Sequence, residues 1–470
     1  MRNSKTRKHF ILITCLAWTA VHLYLSHQRG AWVDEWWRFR QMNFGLFAAL
    51  KDLFIEISPF GPGEILLGKL AQLILSPFSI PELWGRIPSL IFGALTVWLA
   101  LTSGQRFLIL PTLFSVSLTT FSTQFRPYAA LIFGGALAFR MIWDNRPLSR
   151  FEKILAWFNA FFGHVYGMCF VAFASFLRRW WIHVVGTAVY IVLIFIAREL
   201  VGATTSRGAS AADFAPFFTT VKQILGTLTN PHKASYVVAP LAAYGLFRAC
   251  QRDKSALWKA AVFFGMTIVG PIVATVIAKY YFLPRQVVGA LFGVLWLAAI
   301  GLEDIAERLR RARLPVALAW VLNIAVSVGP WAAFVAGVPP FVDQPLHKFR
   351  QIAERSVAMG AKNVLWTDPG TSQSADIYFE RVLGKPIVTA QSQTIAGVQT
   401  AKSCWKQGLC IYFMNDVAAT WDKSRLIAPD SPMLKILSSS DIKFDVLVYS
   451  ADYPPSSFPL KTDALVMRIW

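Results

Sequence analysis

Two adjacent carboxylates set among tryptophans give the first candidate for chemistry. Asp34 and Glu35 directly follow the first apolar segment, within residues 31–38, which read AWVDEWWR. Tryptophan favours the membrane–water interface, where its ring is half buried and its N–H stays hydrated. A carboxylate held at that level lies in a lowered dielectric and can act as a general base on a hydroxyl acceptor. The stretch therefore predicts a catalytic pair, and a solvated acidic turn that closes a membrane helix is the alternative.

Basic, amide and aromatic residues at the ends of later apolar segments are the second candidates. On the predicted outer face they are Arg86, Gln124, Arg126, Tyr128, His164, Tyr166, Lys279, Tyr281 and Arg285. Taken singly, an arginine or histidine near a membrane surface is often only an anchor whose charged end reaches water. Together they predict a rim suited to a phosphate-bearing lipid, because arginine grips phosphate oxygens in a fork and aromatic rings pack on a sugar or isoprenoid.

The composition places these residues in a membrane protein. Of 470 residues, 55% are hydrophobic and only 15% are charged, against about 25% charged in an ordinary soluble domain. Apolar runs of spanning length predict a polytopic α-helical membrane protein. Much of the net charge of +20 lies in short loops at helix ends, and the remainder favours anionic membrane lipids and phosphate-bearing substrates. Neither zinc-ligand spacing nor a nucleic-acid motif occurs, so no nucleic-acid partner is expected.

The distribution of Lys and Arg predicts the topology. Basic residues precede an apolar run from Phe10 to about Ser26. The run is long and lacks a small-x-small cleavage site, so we interpret it as an uncleaved first helix with a cytoplasmic N-terminus rather than a signal peptide. Residues 28–85 form a long first outer loop with short amphipathic helices near 45–50 and 65–70. The positive-inside rule then predicts about eleven spans in total. The later ones are 87–103, 107–122, 126–143, 150–164, 166–178, 181–198, 236–250, 258–278, 286–303 and 315–336. If residues 63–80 crossed the bilayer instead, everything downstream would be inverted.

The chain changes character near residue 336, which predicts a membrane domain at 1–336 and an outer domain at 337–470. Helix-like segments at 347–359 and 374–383 alternate with strand-like segments at 363–366, 386–389, 410–413, 446–449 and 465–469. This alternation predicts a small α/β domain. Cys404 and Cys410 flank a short loop there, and a disulfide between them is expected if the domain is periplasmic or extracellular.

Four motifs, taken in order, resemble a known family. They are Asp34-Glu35, residues 83–93 (LWGRIPSLIFG), residues 122–129 (STQFRPYA) and residues 164–167 (HVYG). The set resembles the bacterial branch of the GT-C glycosyltransferases, which includes the protein O-mannosyltransferases and the lipid A aminoarabinose transferases. The resemblance covers about residues 10–335 and is weak over the C-terminal domain.

The resemblance implies a bacterial inner-membrane enzyme that takes a sugar from a polyprenyl-phosphate carrier and delivers it, with inversion, on the outer face. The acceptor would be lipopolysaccharide, another glycolipid or a protein. By position, Asp34 would be the general base with Glu35 supporting it. Arg126 and Arg285 would face the donor phosphate, and His164 and Tyr166 would shape the cavity.

Departures from the family pattern leave the donor sugar and metal dependence open. Gln124 stands where relatives often carry Glu, which removes a charge that could bind a metal. Residues 60–64 (FGPGE) replace a Pro-Pro stretch and bring the carboxylate of Glu64 near the site. A divalent metal is allowed but not required. The alternatives are a polyprenyl-linked lipid transporter or flippase, for which charged residues along the midplane would be expected, and a non-catalytic membrane scaffold.

Overall fold

The computed structural model describes most of residues 4–336 and the strands beyond them. The described residues are 4–28, 35, 38, 41–42, 44–55, 62–75, 81–144, 146–200, 217–229, 235–277, 284–336, 357–358, 360, 363–366, 388–389, 410–415, 444–448 and 464–469. The chain divides into two compact units. One comprises Met1–His27 with Arg38–Phe341, and the other comprises Gln28–Trp37 with Val342–Trp470.

The described secondary structure of the first unit is helical. Its earlier helices are α1 Ser4–Gln28, α2 Leu46–Ile55, α3 Gly63–Leu75, α4 Pro81–Thr102, α5 Ile109–Leu113, α6 Val116–Ser122, α7 Tyr128–Trp143, α8 Arg150–Phe162 and α9 Val165–Leu177. The later helices are α10 Trp181–Leu200, α11 Phe217–Thr229, α12 Ser235–Arg252, α13 Ala256–Phe264, α14 Gly270–Ile277, α15 Leu291–Arg311 and α16 Ala317–Val335. A π-turn at Gly265–Val269 joins α13 to α14, and 3₁₀ segments at Arg106–Leu108 and Pro284–Ala290 precede α5 and α15.

The long apolar helices establish an integral membrane protein. Among the described residues, five helical stretches are long and apolar enough to cross a membrane: Thr6–Ser26, Leu83–Thr102, Ala256–Ala274, Arg285–Arg311 and Ala317–Val335. Shorter apolar helices lie at Tyr128–Trp143, Val165–Leu177 and Trp181–Ala197. About 20 residues at 1.5 Å each match the hydrocarbon thickness of a bilayer. The count of eleven spans stays a prediction.

One predicted span is wrong as a continuous helix. Residues 107–122 consist of the end of a 3₁₀ turn, the five-residue α5 and the seven-residue α6. The chain breaks because Ser115 adopts an extended conformation and its side chain accepts a hydrogen bond from the Leu118 N–H, which makes it the N-cap of α6. Serine favours this capping position over a helix interior, so a stretch that reads as one membrane span starts a new helix here.

The centre of the first unit is α7, which is buried on all sides over Tyr128–Ile142. Two consecutive glycines allow it to touch two partners. A Cβ atom on Gly134 would lie 2.7 Å from the Cα of Gly167 in α9, and one on Gly135 would lie 1.9 Å from the carbonyl oxygen of Gly289. Small residues at such crossings let membrane helices approach closely and gain van der Waals contact. The middle of α7 is thereby held against both α9 and the segment Pro284–Ala290.

Buried polar groups join α1 to the rest of the unit. The His22 ring lies 2.8 Å from the Trp18 carbonyl oxygen through Nδ1 and 2.9 Å from Thr119 Oγ1 through Nε2. The Trp331 indole N–H donates to the same Thr119 oxygen at 3.0 Å. These contacts connect α1, α6 and α16, and such interhelical hydrogen bonds stabilise helix association where water is absent.

The second unit contains a five-stranded mixed sheet in the order β2-β1-β3-β5-β4, with strands β1 Asn363–Trp366, β2 Val388–Thr389, β3 Cys410–Asn415, β4 Phe444–Val448 and β5 Ala464–Ile469. β1 pairs in parallel with β2 and β3, and β5 pairs antiparallel with β3 and β4. Nearly all of the predicted helices 347–359 and 374–383 lies outside the described residues, as does Cys404. The α/β class, the domain limits and the disulfide with Cys410 therefore stay predictions.

We expect Gly245→Ala to destabilise the membrane unit. A Cβ atom there would lie 1.8 Å from the Leu297 carbonyl oxygen of α15, so α12 and α15 must separate at a cost of about 1–3 kcal/mol. Gly329→Ala in α16 is the matched control, because nothing lies within 4 Å of its added methyl group. Thermal unfolding in one detergent should show a lower Tm for the first variant and an unchanged or higher Tm for the second. Equal shifts would contradict this account of the helix contact.

Candidate functional site

Four predicted site residues meet where the N-terminal ends of α7 and α9 approach the 3₁₀ segment Pro284–Ala290. Tyr128 is the first residue of α7, and the Arg285 guanidinium lies over its ring, 5.2 Å from the centroid. The His164 ring is 6.1 Å from the Tyr128 ring and 5.2 Å from the Tyr166 ring, centroid to centroid. The structure brings these four residues together, and we call Tyr128, His164, Tyr166 and Arg285 the aromatic cluster.

The backbone fixes the His164 ring within this cluster. His164 is the N-cap of α9, and its Nδ1 accepts a hydrogen bond from the Tyr166 N–H at 3.1 Å. An accepting Nδ1 carries no proton, so the tautomer is set by the helix start. The ring is almost fully buried. It therefore forms a fixed wall of the cluster.

The turn that precedes α7 adds a second guanidinium. Arg126 is 8% exposed, and its carbonyl oxygen accepts a hydrogen bond from the Ser89 hydroxyl at 3.0 Å. Gln124, in the same turn, is fully buried. The first N–H groups of a helix carry partial positive charge, and α7 is 16 residues long. Two arginines at that end make an arrangement able to hold an anion such as a phosphate group.

The helix α3 packs against both turns that build the site. A Cβ atom on Gly63 would lie 2.2 Å from the Phe162 Cα, just before His164, and one on Gly68 would lie 3.0 Å from the Phe125 ring. Glu64 is the second residue of this helix and is buried. Its carboxylate lies 3.7 Å from the guanidinium of Arg38, and both side chains are buried.

Arg86 stabilises the end of α1. Its Nη1 donates to the Ser26 carbonyl oxygen at 2.5 Å, and the side chain is fully buried. The last carbonyl groups of a helix lack intrahelical partners, and a cation near them is favourable. The predicted contact of Arg86 with the donor phosphate remains a prediction, but its described hydrogen bond holds the helix that leads into the acidic motif.

Three predicted site residues, Asp34, Lys279 and Tyr281, lie outside the described residues. Glu35 is described and fully buried. Within the described part of the chain, no group of three or more His, Cys, Asp or Glu side chains could hold a metal ion. The roles assigned to the site residues from sequence stay predictions.

Sequence reasoning missed Arg38 and Lys69. The Lys69 ammonium donates to the carbonyl oxygens of Met42 and Phe44, the latter at 2.5 Å, and to Gln72 Oε1 at 3.2 Å. Arg38 also donates to Gln41 Oε1 at 2.6 Å. Arg38 follows the acidic pair in the sequence, and this position could have marked it as a candidate. Its pairing with Glu64 depends on how α3 packs, which the sequence does not indicate.

An apolar cavity of about 650 Å³ adjoins the aromatic cluster. Tyr166, Cys169, Phe170 and Phe173 of α9 line one side of it. The other side consists of α13, the π-turn and α14, with residues from Trp258 to Ala274. Because Tyr166 belongs to both, the cavity continues from the cluster along the apolar helices.

The fold and site thus define an integral membrane protein with a cationic and aromatic cluster beside an apolar cavity. No protein-family model matches the chain, and no curated protein matches it either. Solved structures that are similar to it include two of ArnT from Cupriavidus metallidurans. The one bound to undecaprenyl phosphate has a TM-score of 0.45 and the apo state one of 0.48. In both cases 11% of residues are identical, and 97% of each chain is covered.

We expect His164→Ala to destabilise the protein by about 1 kcal/mol more than His164→Asn. Both changes remove the ring, but Asn can still accept the hydrogen bond from the start of α9, and loss of an N-cap typically costs that amount. Urea or thermal unfolding in detergent would measure the difference. Equal destabilisation would show that the ring packing matters and the cap does not.

Proposed function

We propose that the protein is a glycosyltransferase that moves a sugar from a polyprenyl-phosphate-linked donor to an envelope acceptor. The acceptor is lipopolysaccharide, another glycolipid or a protein, on the outer face of the bacterial inner membrane. The N-terminus is then cytoplasmic and the second unit periplasmic or extracellular. The observation that carries the proposal is the pair of arginines, Arg126 and Arg285, at the N-terminal end of α7 beside an apolar cavity.

The arginines suit the departure of a phosphate. Cleavage of the bond between the anomeric carbon and the phosphate oxygen leaves negative charge on the polyprenyl phosphate. Positive side chains and helix N–H groups already in place stabilise that charge as it develops. A guanidinium can bind two phosphate oxygens at once. Gln124, Lys279 and Tyr281 are proposed to complete the donor site.

The cavity supports a lipid-linked donor over a free sugar phosphate. A polyprenyl-phosphate sugar has a charged head and a long apolar chain, and the protein offers a cationic cluster and an apolar cavity that share Tyr166. The polyprenyl chain can lie along α9 and α14 while the phosphate faces Arg285. Membrane lipids would occupy the same cavity when the donor is absent.

The acidic pair supplies the base in this proposal. Asp34 takes the proton of the acceptor hydroxyl as its oxygen attacks the anomeric carbon from the side opposite the phosphate, which inverts the configuration. Glu35 supports Asp34. If the acceptor is itself a phosphate, no strong base is needed and Asp34 orients the acceptor.

Transfer of label from radiolabelled polyprenyl-phosphate sugars to an envelope lipid and protein extract tests the function. The purified protein in nanodiscs should transfer label, and Asp34→Asn should transfer at least about 100-fold less, since general-base catalysis contributes about 10²–10⁴-fold. The labelled product identifies the acceptor class. Equal transfer by the wild type and Asp34→Asn would show that another residue is the general base. No transfer by the wild type would favour a lipid transporter.

Arg126→Gln and Arg285→Gln should each raise the KM for the donor by about tenfold or more, because a hydrogen bond to a charged group contributes about 1.5–3 kcal/mol. Arg150→Gln is the control, since Arg150 is exposed at the start of α8. Initial rates over a range of donor concentrations separate KM from kcat. An unchanged donor KM in both site variants would exclude phosphate binding by these arginines.

A further inference from the structure

A group of charged side chains lies where α12 and α15 end, and the proposed reaction uses none of them. Its centre is the Asp304 carboxylate, which is 3% exposed as a residue. Asp304 accepts hydrogen bonds from Tyr244 at 2.6 Å, from Arg252 at 3.2 Å and from Arg308 at 2.8 Å. Arg248 Nη2 also lies 2.8 Å from Asp304 Oδ1. We call the three arginines together with Asp304 the arginine cluster.

Two glycines bring α12 and α15 into backbone contact one turn before the arginine cluster. A Cβ atom on Gly245 would lie 1.8 Å from the Leu297 carbonyl oxygen, and one on Gly301 would lie 2.6 Å from the backbone of α12. Residues three or four positions apart lie on the same face of a helix. The crossing therefore places Arg248 of α12 beside Asp304 of α15, so the packing of the two helices assembles the cluster.

The arginine cluster carries more positive charge than Asp304 balances. Three guanidinium groups share one carboxylate, which gives a formal charge of +2. Residues 244–259 and 303–313 around it contain eight Lys or Arg and only four Asp or Glu. Of these acidic residues, Glu307 pairs with two arginines further along its own helix and Asp253 pairs with Lys259. Positive charge thus remains here for an anion from outside the chain.

The arginines also keep hydrogen-bond donors for such an anion. A guanidinium has five N–H donors. Arg252 reaches Asp304 through Nη2 and Arg308 through Nε, and these two side chains are 54% and 61% exposed. Among the described residues, the buried Nε of Arg248 has no hydrogen-bond partner. A phosphate group suits this arrangement, because its oxygens accept from several guanidinium donors at once.

Exposed apolar side chains flank the arginine cluster. Phe247, next to Arg248 in the chain, is 57% exposed, and Leu257 and Trp258 at the start of α13 are 61% and 68% exposed. The helical stretch Ala256–Ala274, which begins there, is apolar enough to cross a membrane. Tryptophan favours the membrane–water interface. These features indicate that the cluster lies at the level of the lipid headgroups, with apolar surface beside it.

We propose that the arginine cluster binds the phosphate headgroup of an anionic membrane phospholipid, whose acyl chains cover the exposed apolar side chains of α12 and α13. Basic pockets between membrane helices bind such headgroups. A free phosphate satisfies the arginines but leaves Phe247, Leu257 and Trp258 uncovered, which favours the lipid. The bound phosphate joins arginines of α12 and α15 and so stabilises the contact between these helices. The inference does not rest on the proposed glycosyl transfer.

Thermal unfolding of the full-length protein in a neutral detergent tests the proposal. A lipid that binds the folded protein raises its Tm with concentration, so phosphatidylglycerol should raise the Tm more than phosphatidylcholine at equal concentration. The double variant Arg252→Gln/Arg308→Gln should need at least about tenfold more phosphatidylglycerol for the same shift, because it loses charge-assisted hydrogen bonds to the phosphate. Equal shifts with both lipids, or an unchanged response in the double variant, would overturn the proposal.

Arg310→Gln/Arg311→Gln is the matched control. It removes the same charge from the last turn of α15, where both side chains are exposed and pair with Glu307. Its response to phosphatidylglycerol should stay within about twofold of the wild type. A loss equal to that of Arg252→Gln/Arg308→Gln would mean that the lipid responds to net charge alone. Inorganic phosphate should shift the Tm far less than the lipid, and an equal shift would assign the cluster to a free anion instead.

Asp304→Asn should change the response in the opposite direction. The variant removes the carboxylate between the arginines and leaves their charges unpaired, so its Tm in detergent alone should fall below that of the wild type. A phosphate bound among the arginines takes the place of the lost carboxylate. Phosphatidylglycerol should therefore narrow the difference in Tm between Asp304→Asn and the wild type. A difference that stays constant or grows would contradict the proposed site.

A photoreactive phosphatidylglycerol gives a readout that needs no variant. In the wild type, its label should fall within residues 247–258 and should be displaced by unlabelled phosphatidylglycerol but not by phosphatidylcholine. Label confined to other exposed apolar helices, such as α10, would overturn the proposal.

Discussion

A backbone carbonyl group without a hydrogen-bond partner cannot be solvated by hydrocarbon, and each one left in a bilayer costs several kcal/mol. Side chains meet this need throughout the membrane unit. Arg86 donates to Ser26, Ser89 to Arg126, and Arg140 to Leu99 at 3.2 Å. Each bond lies at a point where the chain leaves a helix or turns. Several charged groups in this protein are therefore occupied in holding the backbone.

This constraint also explains what could be predicted from sequence. The membrane class and most helix positions follow from the apolar segments. Tyr128, His164, Tyr166 and Arg285 stand at the ends of such segments, which a membrane topology brings to one surface, and their proximity accords with that. The partners of Arg86 and Glu64 do not follow, since a sequence does not say whether a cation faces a phosphate or a carbonyl oxygen. The helix break at Ser115 also could not be predicted, because it depends on a single capping side chain within a largely apolar stretch.

The site combines a cationic end and an apolar cavity, which differ in chemical character. The cationic end needs fixed distances between Arg126, Arg285 and the start of α7, and the glycine contacts of α7 supply them by leaving no gap between helices. Groups fixed in this way require no reorganisation when charge develops. The cavity beside Tyr166 has apolar walls. One helix, α9, contributes to both.

The π-turn at Gly265–Val269 sets the shape of that cavity through the phase of a helix. A π-turn contains one residue more than a regular turn. Deleting it would rotate α14 by about 100° relative to α13 and shift it by about 1.5 Å. Pro271 and Ala274 would then turn away from the cavity while Trp258 stayed in place. A single-residue deletion here would thus change the shape of the cavity without replacing any lining residue, so that shape can diverge between relatives through insertions and deletions alone.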